Sequence, residues 1–315
     1  EADPMAGSLD GILPLVKPAD FPGDVVTAGS STVFPLAEVI AGLYEGEGGG
    51  RITIDSIGSG GGYERFCVTG ETDVSNASRA IKTSEVESCE AIGRNPIEFR
   101  VGTDAIAVTV SSENDFVTDV TLEELAAIFS TAETWSDVRA EWPDEAILRY
   151  IPGTDSGTFD YFVEVVFDED PDPILNASNT QLSEDDNVLV QGVVGSPYAV
   201  AFYGYAYYVE NIDVTNTLSI DGIEATLETV DSFTYPLARP LFIYSDAAIM
   251  QAKPQVAAYI NYFLTHTNDV IEEVGYFPAA PQALGLAKLR WLNAMDMALE
   301  LPAVAPADFP GDVVT

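Results

Sequence analysis

The sequence predicts an α/β fold in which parallel strands are joined by crossover helices. Short runs of β-branched and apolar residues alternate with helical patterns along most of the chain, and this alternation is typical of βαβ units. The chain has 315 residues, of which 47% are hydrophobic, which is enough for two hydrophobic cores rather than one. Its apolar runs are too short for a transmembrane helix.

The predicted elements follow this alternation in order. A Pro- and Gly-rich lead-in over residues 1–24 precedes the first strand. The first half of the chain has strands at 25–27, 52–56, 73–79 and 99–110, and helices at 35–45, 63–69 and 83–92. The second half has helices at 121–130, 156–167, 246–265 and 282–300, strands at 147–151 and 240–244, and an aromatic run at 198–208 interpreted as a packed helix. The strand at 99–110 is long enough to leave one lobe and enter another, and the strand at 240–244 returns to the first.

The charge balance is strongly acidic. The chain has 13 Lys and Arg residues against 51 Asp and Glu residues, so its formal net charge is −38. Such a surface repels nucleic acids and anionic membranes, and we expect neither as a partner. We interpret the acids as a solvated coat suited to a salty habitat, because the Debye length is only ~3 Å at 1 M salt and self-repulsion is screened there. Thermal stability is then expected to rise with salt concentration.

The two cysteines, Cys67 and Cys89, lie in neighbouring predicted segments. A structural disulfide between them fits an exported protein, whereas two buried free thiols would fit a cytosolic one. Two ligands are too few for a zinc site, so no metal is expected. The N-terminal residues lack a basic stretch followed by an apolar run, and an export signal would therefore already have been removed. We favour the disulfide and export.

Three predicted strands end in a polar, Gly-containing turn that runs into a helix. The turns are TAGSSTVFP at residues 27–35, DSIGSGGGY at 55–63 and PGTDSGTF at 152–159. Backbone N–H groups without partners converge with the helix dipole at such a helix start, which makes it a ready anion site. A single turn of this kind is more often an ordinary helix cap. Three of them together predict one small anion held by backbone and hydroxyl donors.

In this order and spacing, the three turns and the segment DVSNASR at residues 73–79 resemble the phosphate-binding proteins of bacterial phosphate ABC importers. The resemblance implies a two-lobed, type II periplasmic-binding-protein fold, in which each lobe is a mixed sheet flanked by helices. Lobe 1 would comprise residues 1–103 and 241–315, and lobe 2 residues 104–240. Such a protein closes on inorganic phosphate by a hinge movement and presents it to the membrane permease of the importer. We expect it to be exported, to the periplasm or the cell surface, and to act as a monomer.

The resemblance also implies which residues bind the phosphate. It implies no cofactor. Donors would come from all three turns and from the segment at 73–79. They are Ser31, Thr32 and Val33 in the first turn, Ser59 in the second, Arg79 in the segment, and Ser156, Gly157 and Thr158 in the third turn.

The sequence departs from well-known members of that family at two positions. Arg79 stands where many of them have an Asp that accepts the proton of hydrogen phosphate, and Pro152 stands where many have an Arg. Arg79 can make two parallel charge-assisted bonds to an oxyanion, although a salt bridge within lobe 1 is the alternative in so acidic a chain. The proton acceptor would then be Asp155 or Asp160, and Asp155 could instead only cap its helix. Arg149, at a strand end, is expected to be exposed.

Three other functions stay open at the level of sequence. A hydrolase would need a base, and the only histidine, His266, lies in a predicted helix of a chain without a Gly-x-Ser-x-Gly or P-loop motif. We therefore expect no enzyme, and a phosphatase is the less favoured alternative. A receptor for another tetrahedral oxyanion, such as sulfate, arsenate or molybdate, would have the same architecture, and its selectivity would depend on the missing acceptor. Residues 18–27 recur identically at 306–315, which leaves open a second strand that adds to a sheet edge.

Overall fold

The computed structural model describes residues 11–154, 156–183 and 185–297. They form the two-lobed α/β architecture that the sequence predicts. The strands are β1 (Val25–Gly29), β2 (Ile52–Ser56), β3 (Val74–Ala77), β4 (Ile97–Ser111), β5 (Asp119–Val120), β6 (Leu148–Pro152), β7 (Thr180–Ser183), β8 (Ala199–Gly204), β9 (Thr215–Thr217), β10 (Ser219–Ile220) and β11 (Ala238–Ser245). The α-helices are α1 (Phe34–Gly46), α2 (Gly58–Glu64), α3 (Thr83–Ala91), α4 (Leu122–Ile128), α5 (Gly157–Val166), α6 (Asp172–Leu175), α7 (Asp186–Val194), α8 (Tyr205–Glu210), α9 (Leu227–Asp231), α10 (Ala247–Ala252), α11 (Pro254–Val270) and α12 (Pro281–Ala294).

Two long strands, β4 and β11, run antiparallel through the middle of the main sheet, whose order is β2-β1-β3-β11-β4-β8-β6-β7. On one side of them β1 pairs in parallel with β2 and β3. On the other side β6 pairs in parallel with β7 and β8. The predicted crossover helices are confirmed, because α1 connects β1 to β2 and α2 connects β2 to β3. Each half of the sheet is mixed, since β11 and β4 join their neighbours β3 and β8 in the antiparallel direction.

The buried hydrophobic side chains of the described residues form two main cores. One core draws its buried residues from 25–101 and 241–294 and includes much of α1, α11 and α12. The other draws its buried residues from 105–237. Along the chain, the buried residues change from the first core to the second within β4, and back to the first core at β11. These two strands therefore connect the two cores.

The aromatic run at 198–208 is not one helix, and that prediction is wrong for its first half. Residues 199–204 form β8, and all six of them are buried. The reason is that β8 is covered on both faces: Val200 and Phe202 pack into one hydrophobic cluster, and Ala199, Ala201 and Tyr203 pack into another. A strand buried on both faces shows no alternation of apolar and polar residues, so periodicity cannot distinguish it from a buried helix.

Two predicted helices also have different bounds. The segment 246–265 is split into α10 and α11 at Lys253, because Pro254 lacks an N–H and restricts the backbone of the residue before it. The helix predicted at 63–69 begins earlier, at Gly58, and continues as a π-helical turn over Arg65–Thr69. Its Gly-rich start is a poor helix former in isolation, and packing on β1 and β3 keeps it helical.

Arg149 was expected to be exposed, and that prediction is wrong. Its side chain is fully buried in β6. The guanidinium donates to the carbonyl oxygens of Ile128 at 2.5 Å and Ser178 at 2.6 Å, and also to that of Ala132. Ile128 ends α4, where carbonyls have no partner within the helix and attract a cation. Burial lowers the pKa of Arg149 to about 10.

The predicted disulfide between Cys67 and Cys89 is formed and joins the turn after α2 to α3. The first copy of the repeated decapeptide comprises a short 3₁₀ turn, Pro18–Asp20, and the start of β1. The second copy, at 306–315, lies outside the described residues. In the part of the chain that the structure describes, no helix has both the length and the apolar character needed to cross a membrane.

Candidate functional site

A cavity of about 650 Å³ lies between residues of the two lobes, and its wall combines hydroxyl groups, cations and carboxylates. Of the residues predicted to bind an anion, Ser31, Thr32, Ser59 and Arg79 line it, whereas Val33, Ser156, Gly157 and Thr158 do not. The hydroxyl residues of the wall are Ser30, Ser31, Thr32, Ser59, Ser78 and Thr154, the cations are Arg79, Lys82 and Arg239, and the acids are Asp160, Glu164 and Glu169.

The turn between β1 and α1 folds around the hydroxyl of Ser30. Its Oγ accepts the backbone N–H groups of Thr32 at 3.2 Å and of Val33 at 3.3 Å, so it occupies donors that are suited to an anion. The side chain of Val33 is apolar and fully buried, so only its backbone N–H could donate to an anion as predicted. The neighbouring Ser31 reaches across to lobe 2, where its hydroxyl donates to Oδ2 of Asp160 at 3.2 Å.

Gly29 determines how this turn leaves the sheet. Its φ is +146°, and a Cβ there would collide with the backbone carbonyl of Asn76, so only glycine fits. The N–H of Ser30 donates to that same carbonyl at 2.9 Å. Since β1 and β3 end side by side, the first turn lies next to the segment that follows β3.

The second turn contributes Ser59 from the start of α2. Its Oγ accepts the N–H of Ser78 at 3.1 Å and lies 3.3 Å from the hydroxyl oxygen of Ser78. Ser78 also lines the cavity and was not among the predicted residues. Its position next to Arg79, in the polar exit of a predicted strand, was the signal that could have identified it.

Arg79 lines the cavity, but its guanidinium is bound to Glu85 of α3. Nη1 and Nη2 donate to the two carboxylate oxygens at 2.9 and 2.6 Å, and Nη1 also donates to the carbonyl of Ala80 at 3.1 Å. The bond to Glu85 raises the pKa of Arg79. Burial opposes ionisation of Glu85, but the bonds from Arg79 and from the N–H of Lys82 lower its pKa. Arg79 thus forms the salt bridge that the sequence left as its alternative role.

The third turn begins α5, and Ser156 caps this helix. Its Oγ accepts the N–H of Thr158 at 3.2 Å. Gly157 meets the first turn directly, because a Cβ on it would lie 3.0 Å from Cα of Thr32. The turns of the two lobes are therefore in contact. Asp155, predicted as a proton acceptor, lies outside the described residues.

Arg239 was not among the residues predicted from sequence. It is the second residue of β11, and its side chain is only 6% exposed. Its Nε donates to Oδ2 of Asp104 at 3.0 Å. Its Nη2 donates to Oγ1 of Thr32 and, at 2.9 Å, to the carbonyl of Gly157. The guanidinium carbon lies 3.7 Å from the ring centre of Tyr161, which is a cation–π contact.

Asp104, the partner of Arg239, is fully buried in β4. Burial raises the pKa of Asp104, and the bond from Arg239 opposes that rise. Both residues are charges within or beside apolar runs, and a charge in a buried strand needs a partner. Two opposite charges on the two predicted crossing strands were therefore a usable signal for this pair.

The donors and acceptors of the wall suit a protonated anion. Hydroxyls, backbone N–H groups and guanidinium groups donate hydrogen bonds to anionic oxygens. The carboxylates of Asp160 and Glu164 can accept a hydrogen bond from a protonated oxygen of the anion. Metal binding has no comparable basis, because the described residues contain no group of three or more His, Cys, Asp or Glu that could hold a metal ion. This chemistry and the two lobes define an anion-binding protein of the solute-binding class.

Comparison with known proteins identifies the family. The sequence pattern of the family described as PBP superfamily domain matches residues 17–267. Protein SphX of Synechocystis sp. is 36% identical over 297 residues, which cover 91% of this chain and 87% of SphX. The phosphate-binding protein PstS of Staphylococcus aureus is 32% identical over 284 residues, covering 88% of this chain and 84% of PstS. The chain belongs to the PBP superfamily and, within it, to the family that contains SphX and PstS.

Solved structures agree with this assignment. A protein from Planctomyces limnophilus, described as a possible phosphate binding protein, has a TM-score of 0.82 and 36% identity, and the match covers 87% of this chain and 99% of that one. A phosphate ABC transporter substrate-binding protein from Clostridium perfringens, described as putative and solved with bound phosphate, has a TM-score of 0.55 and 23% identity over 82% of this chain and 100% of that one. The second likeness supports the fold alone.

Proposed function

We propose that this protein captures inorganic phosphate between its lobes and presents it to the membrane permease of an ABC importer. One observation carries the proposal: hydroxyl groups from two strand–helix turns, those of Ser31, Thr32 and Ser59, line one interlobe cavity together with guanidinium groups. Such donors match the oxygens of a small anion. The PstS relatives are described as phosphate-binding proteins, which supports phosphate as that anion.

The division into lobes is part of the proposal. Lobe 1 comprises residues 1–103 and 241–315, and lobe 2 residues 104–240. The separation of the two cores supports this division. β4 and β11 then act as the hinge, and opening would separate Ser31 from Asp160, which are now hydrogen-bonded.

Phosphate binding in this site uses both backbone and side-chain donors. Thr32 and Val33 offer their N–H groups, which an anion can take over from the hydroxyl of Ser30. Ser31, Thr32 and Ser59 offer hydroxyl groups, and Arg79 adds positive charge at the edge of the cavity. From lobe 2, the start of α5 already lies against the first turn. Ser156, Gly157 and Thr158 stay in the proposal as donors at this helix start, beside the residues that line the cavity.

Selectivity for hydrogen phosphate over sulfate needs an acceptor for the ligand's proton. Asp160 supplies it in our proposal, because its carboxylate lines the cavity and already accepts a hydrogen bond from Ser31. A sulfate ion has no proton to donate at neutral pH, so the same carboxylate would repel it.

We propose transport without catalysis, and action outside the cytoplasm as a monomer. His266 lies on α11 and does not line the cavity. Its Nδ1 is 3.0 Å from Oδ2 of Asp269, and its ring centre lies 4.2 Å from that of Tyr262, with the two planes tilted by 41°. The disulfide supports an oxidising compartment. Delivery to a permease is the step by which a binding protein of this class contributes to import.

Calorimetric titration of the ligand-stripped protein with phosphate, and then with sulfate, tests the proposal at molar salt. Heat from phosphate and none from sulfate is expected. Asp160→Asn should bring the two affinities closer together, whereas Glu169→Gln, which removes another acid from the same wall, should not. Comparable binding of both anions by the unmodified protein would make it a broader oxyanion receptor. Absence of phosphate binding would reject the proposal.

A further inference from the structure

Arg239 is anchored on the two strands of the proposed hinge, at the point where they enter lobe 2. It lies directly opposite Asp104 in the register of β11 and β4, the two strands that pass between the cores. Its Nε donates to Asp104 at 3.0 Å, and both side chains are buried. Because the pair bridges neighbouring strands, the guanidinium has a fixed position relative to the hinge.

The Nη2 nitrogen of Arg239 contacts both lobes at once. It donates to Oγ1 of Thr32 in the first turn and to the carbonyl of Gly157 at the start of α5. These two turns belong to different lobes and touch each other. One nitrogen can bond to both acceptors only while the lobes are closed, so the contacts of Nη2 depend on closure.

Arg239 lines the cavity, and its Nη1 nitrogen has only long contacts to the described residues, both of them to other residues of the cavity wall. Oγ of Ser78 lies at 3.5 Å and Oε2 of Glu164 at 3.8 Å, whereas charge-assisted bonds are usually about 2.7–2.9 Å long. A guanidinium has five N–H donors, and Nη1 carries two of them. Arg79 differs, since both of its terminal nitrogens donate to Glu85 at 2.9 Å or less.

We propose that Arg239 is the principal cation that binds the anion and that, through its place on the hinge, it couples anion binding to lobe closure. The inference rests on the proposed function, because it assigns a residue and a means of closure to the same site. An anion oxygen at Nη1 fixes the guanidinium in the orientation in which Nη2 joins the two turns. Asp104 is its positioning residue, and Arg79 stays bound to Glu85 with a minor share in binding.

Two measurements on the same variants test the inference. Calorimetry gives the phosphate affinity, and small-angle X-ray scattering gives the decrease in radius of gyration when phosphate is added. Arg239→Gln should lower the affinity roughly 100-fold or more, because two bonds to a charged ligand are lost. At phosphate concentrations that saturate this variant, the decrease in radius of gyration should be absent. Arg79→Gln should lower the affinity less than about fivefold, with closure retained. The matched control is Arg139→Gln, because Arg139 also donates to both oxygens of one carboxylate, that of Glu124, and does not line the cavity. Its affinity should be unchanged.

The outcomes separate this inference from the proposed function. If the unmodified protein binds no phosphate, both fail. If it binds and Arg239→Gln binds equally well, or Arg79→Gln loses as much, only the inference is overturned. A variant that binds weakly but still closes when saturated would overturn the coupling. Should Arg239→Gln not fold, Arg239→Lys decides with the same readouts. It keeps the charge, but its single nitrogen has three donors and cannot bond to Asp104, to both turns and to the anion at once.

Discussion

The cavity has two walls that each carry an arginine, and the two arginines are held in different ways. We call Arg239, which lines the cavity, and its buried partner Asp104 the hinge wall; their side chains are 6% and 0% exposed. We call Ser78 and Arg79, which also line the cavity, together with Glu85, the partner of Arg79, the β3 wall. There the side chains of Arg79 and Glu85 are 27% and 19% exposed. In the β3 wall, both terminal nitrogens of Arg79 donate to the carboxylate of Glu85. In the hinge wall, only Nε of Arg239 donates to the carboxylate of Asp104.

This difference shows that nearness to a motif does not by itself assign a role. Arg79 lies in a segment that resembles a family motif, yet its terminal nitrogens already have charged partners. Arg239 lies outside every motif, yet it lines the cavity and its Nη1 has only long contacts to the described residues. Burial also changes how much each ion pair contributes to the free energy of unfolding. A partly exposed ion pair stabilises a protein little, whereas breaking a buried pair leaves an uncompensated charge.

The largest effect is expected from breaking the buried pair. Asp104→Asn should lower the free energy of unfolding by about 3–5 kcal/mol, since it leaves the charge of Arg239 buried without its counter-ion. Glu85→Gln removes the corresponding acid from the β3 wall and should cost less than about 1 kcal/mol. Urea unfolding of both variants at molar salt measures the difference. Equal losses would mean that the two walls do not differ in the way proposed.

The β3 wall lies within a loop that a disulfide closes, whereas the hinge wall does not. Cys67 and Cys89 are 22 residues apart, and the loop they close contains the whole β3 wall. Replacing both with Ser should lower the free energy of unfolding by about 3 kcal/mol, because the loop constrains the unfolded chain. Phosphate affinity should change little, since the hinge wall stays intact. A loss of affinity comparable to that of Arg239→Gln would instead locate the main cation in the β3 wall.

Much of the fold was predictable, because it depends on local patterns. The strands and helices from β1 to α3 appear as alternating apolar runs and polar turns, and the family resemblance supplied the two lobes. The errors have non-local causes. β8 pairs with strands on both edges and packs into hydrophobic clusters on both faces, so it shows no alternation. The Gly-rich start of α2 is held by packing on β1 and β3. The break at Pro254 was a local signal that helical periodicity obscured.

The site was predictable to a smaller extent. The hydroxyl turns are visible in sequence, because Gly, Ser and Thr at a strand–helix junction have a local physical reason. The pairing of Asp104 with Arg239 spans 135 residues, and only the register of β4 and β11 brings the two together. In the same way, Arg149 is buried because the carbonyl groups near the end of α4 lie beside it. Sequence shows that such charges need partners, but not which partners they have.

A smaller effect is expected from widening the contact between the two turns. In Gly157→Ala, the new Cβ would lie 3.0 Å from Cα of Thr32, so the closed arrangement that Arg239 joins must shift. Overpacking of this kind costs about 1–3 kcal/mol, which should weaken phosphate binding about tenfold or more while the unliganded protein keeps its stability. Gly42→Ala on α1 is the matched control, because a Cβ there meets nothing within 4 Å. Unchanged affinity in Gly157→Ala would show that closure does not require this contact.

The smallest effect is the pH dependence of the β3 wall. The pKa of Glu85 is lowered from 4.5 in the folded protein, so its ionised form contributes stability above pH 4.5, and that contribution is lost as the pH falls through the folded value. The free-energy difference between the unmodified protein and Glu85→Gln should therefore be largest near neutral pH and vanish in acid. Glu87→Gln, an exposed change on the same helix, corrects for removing one charge from so acidic a surface. If the corrected difference stays constant down to pH 3, Glu85 is held by packing rather than by its bond to Arg79, and the contrast between the two walls loses its electrostatic basis.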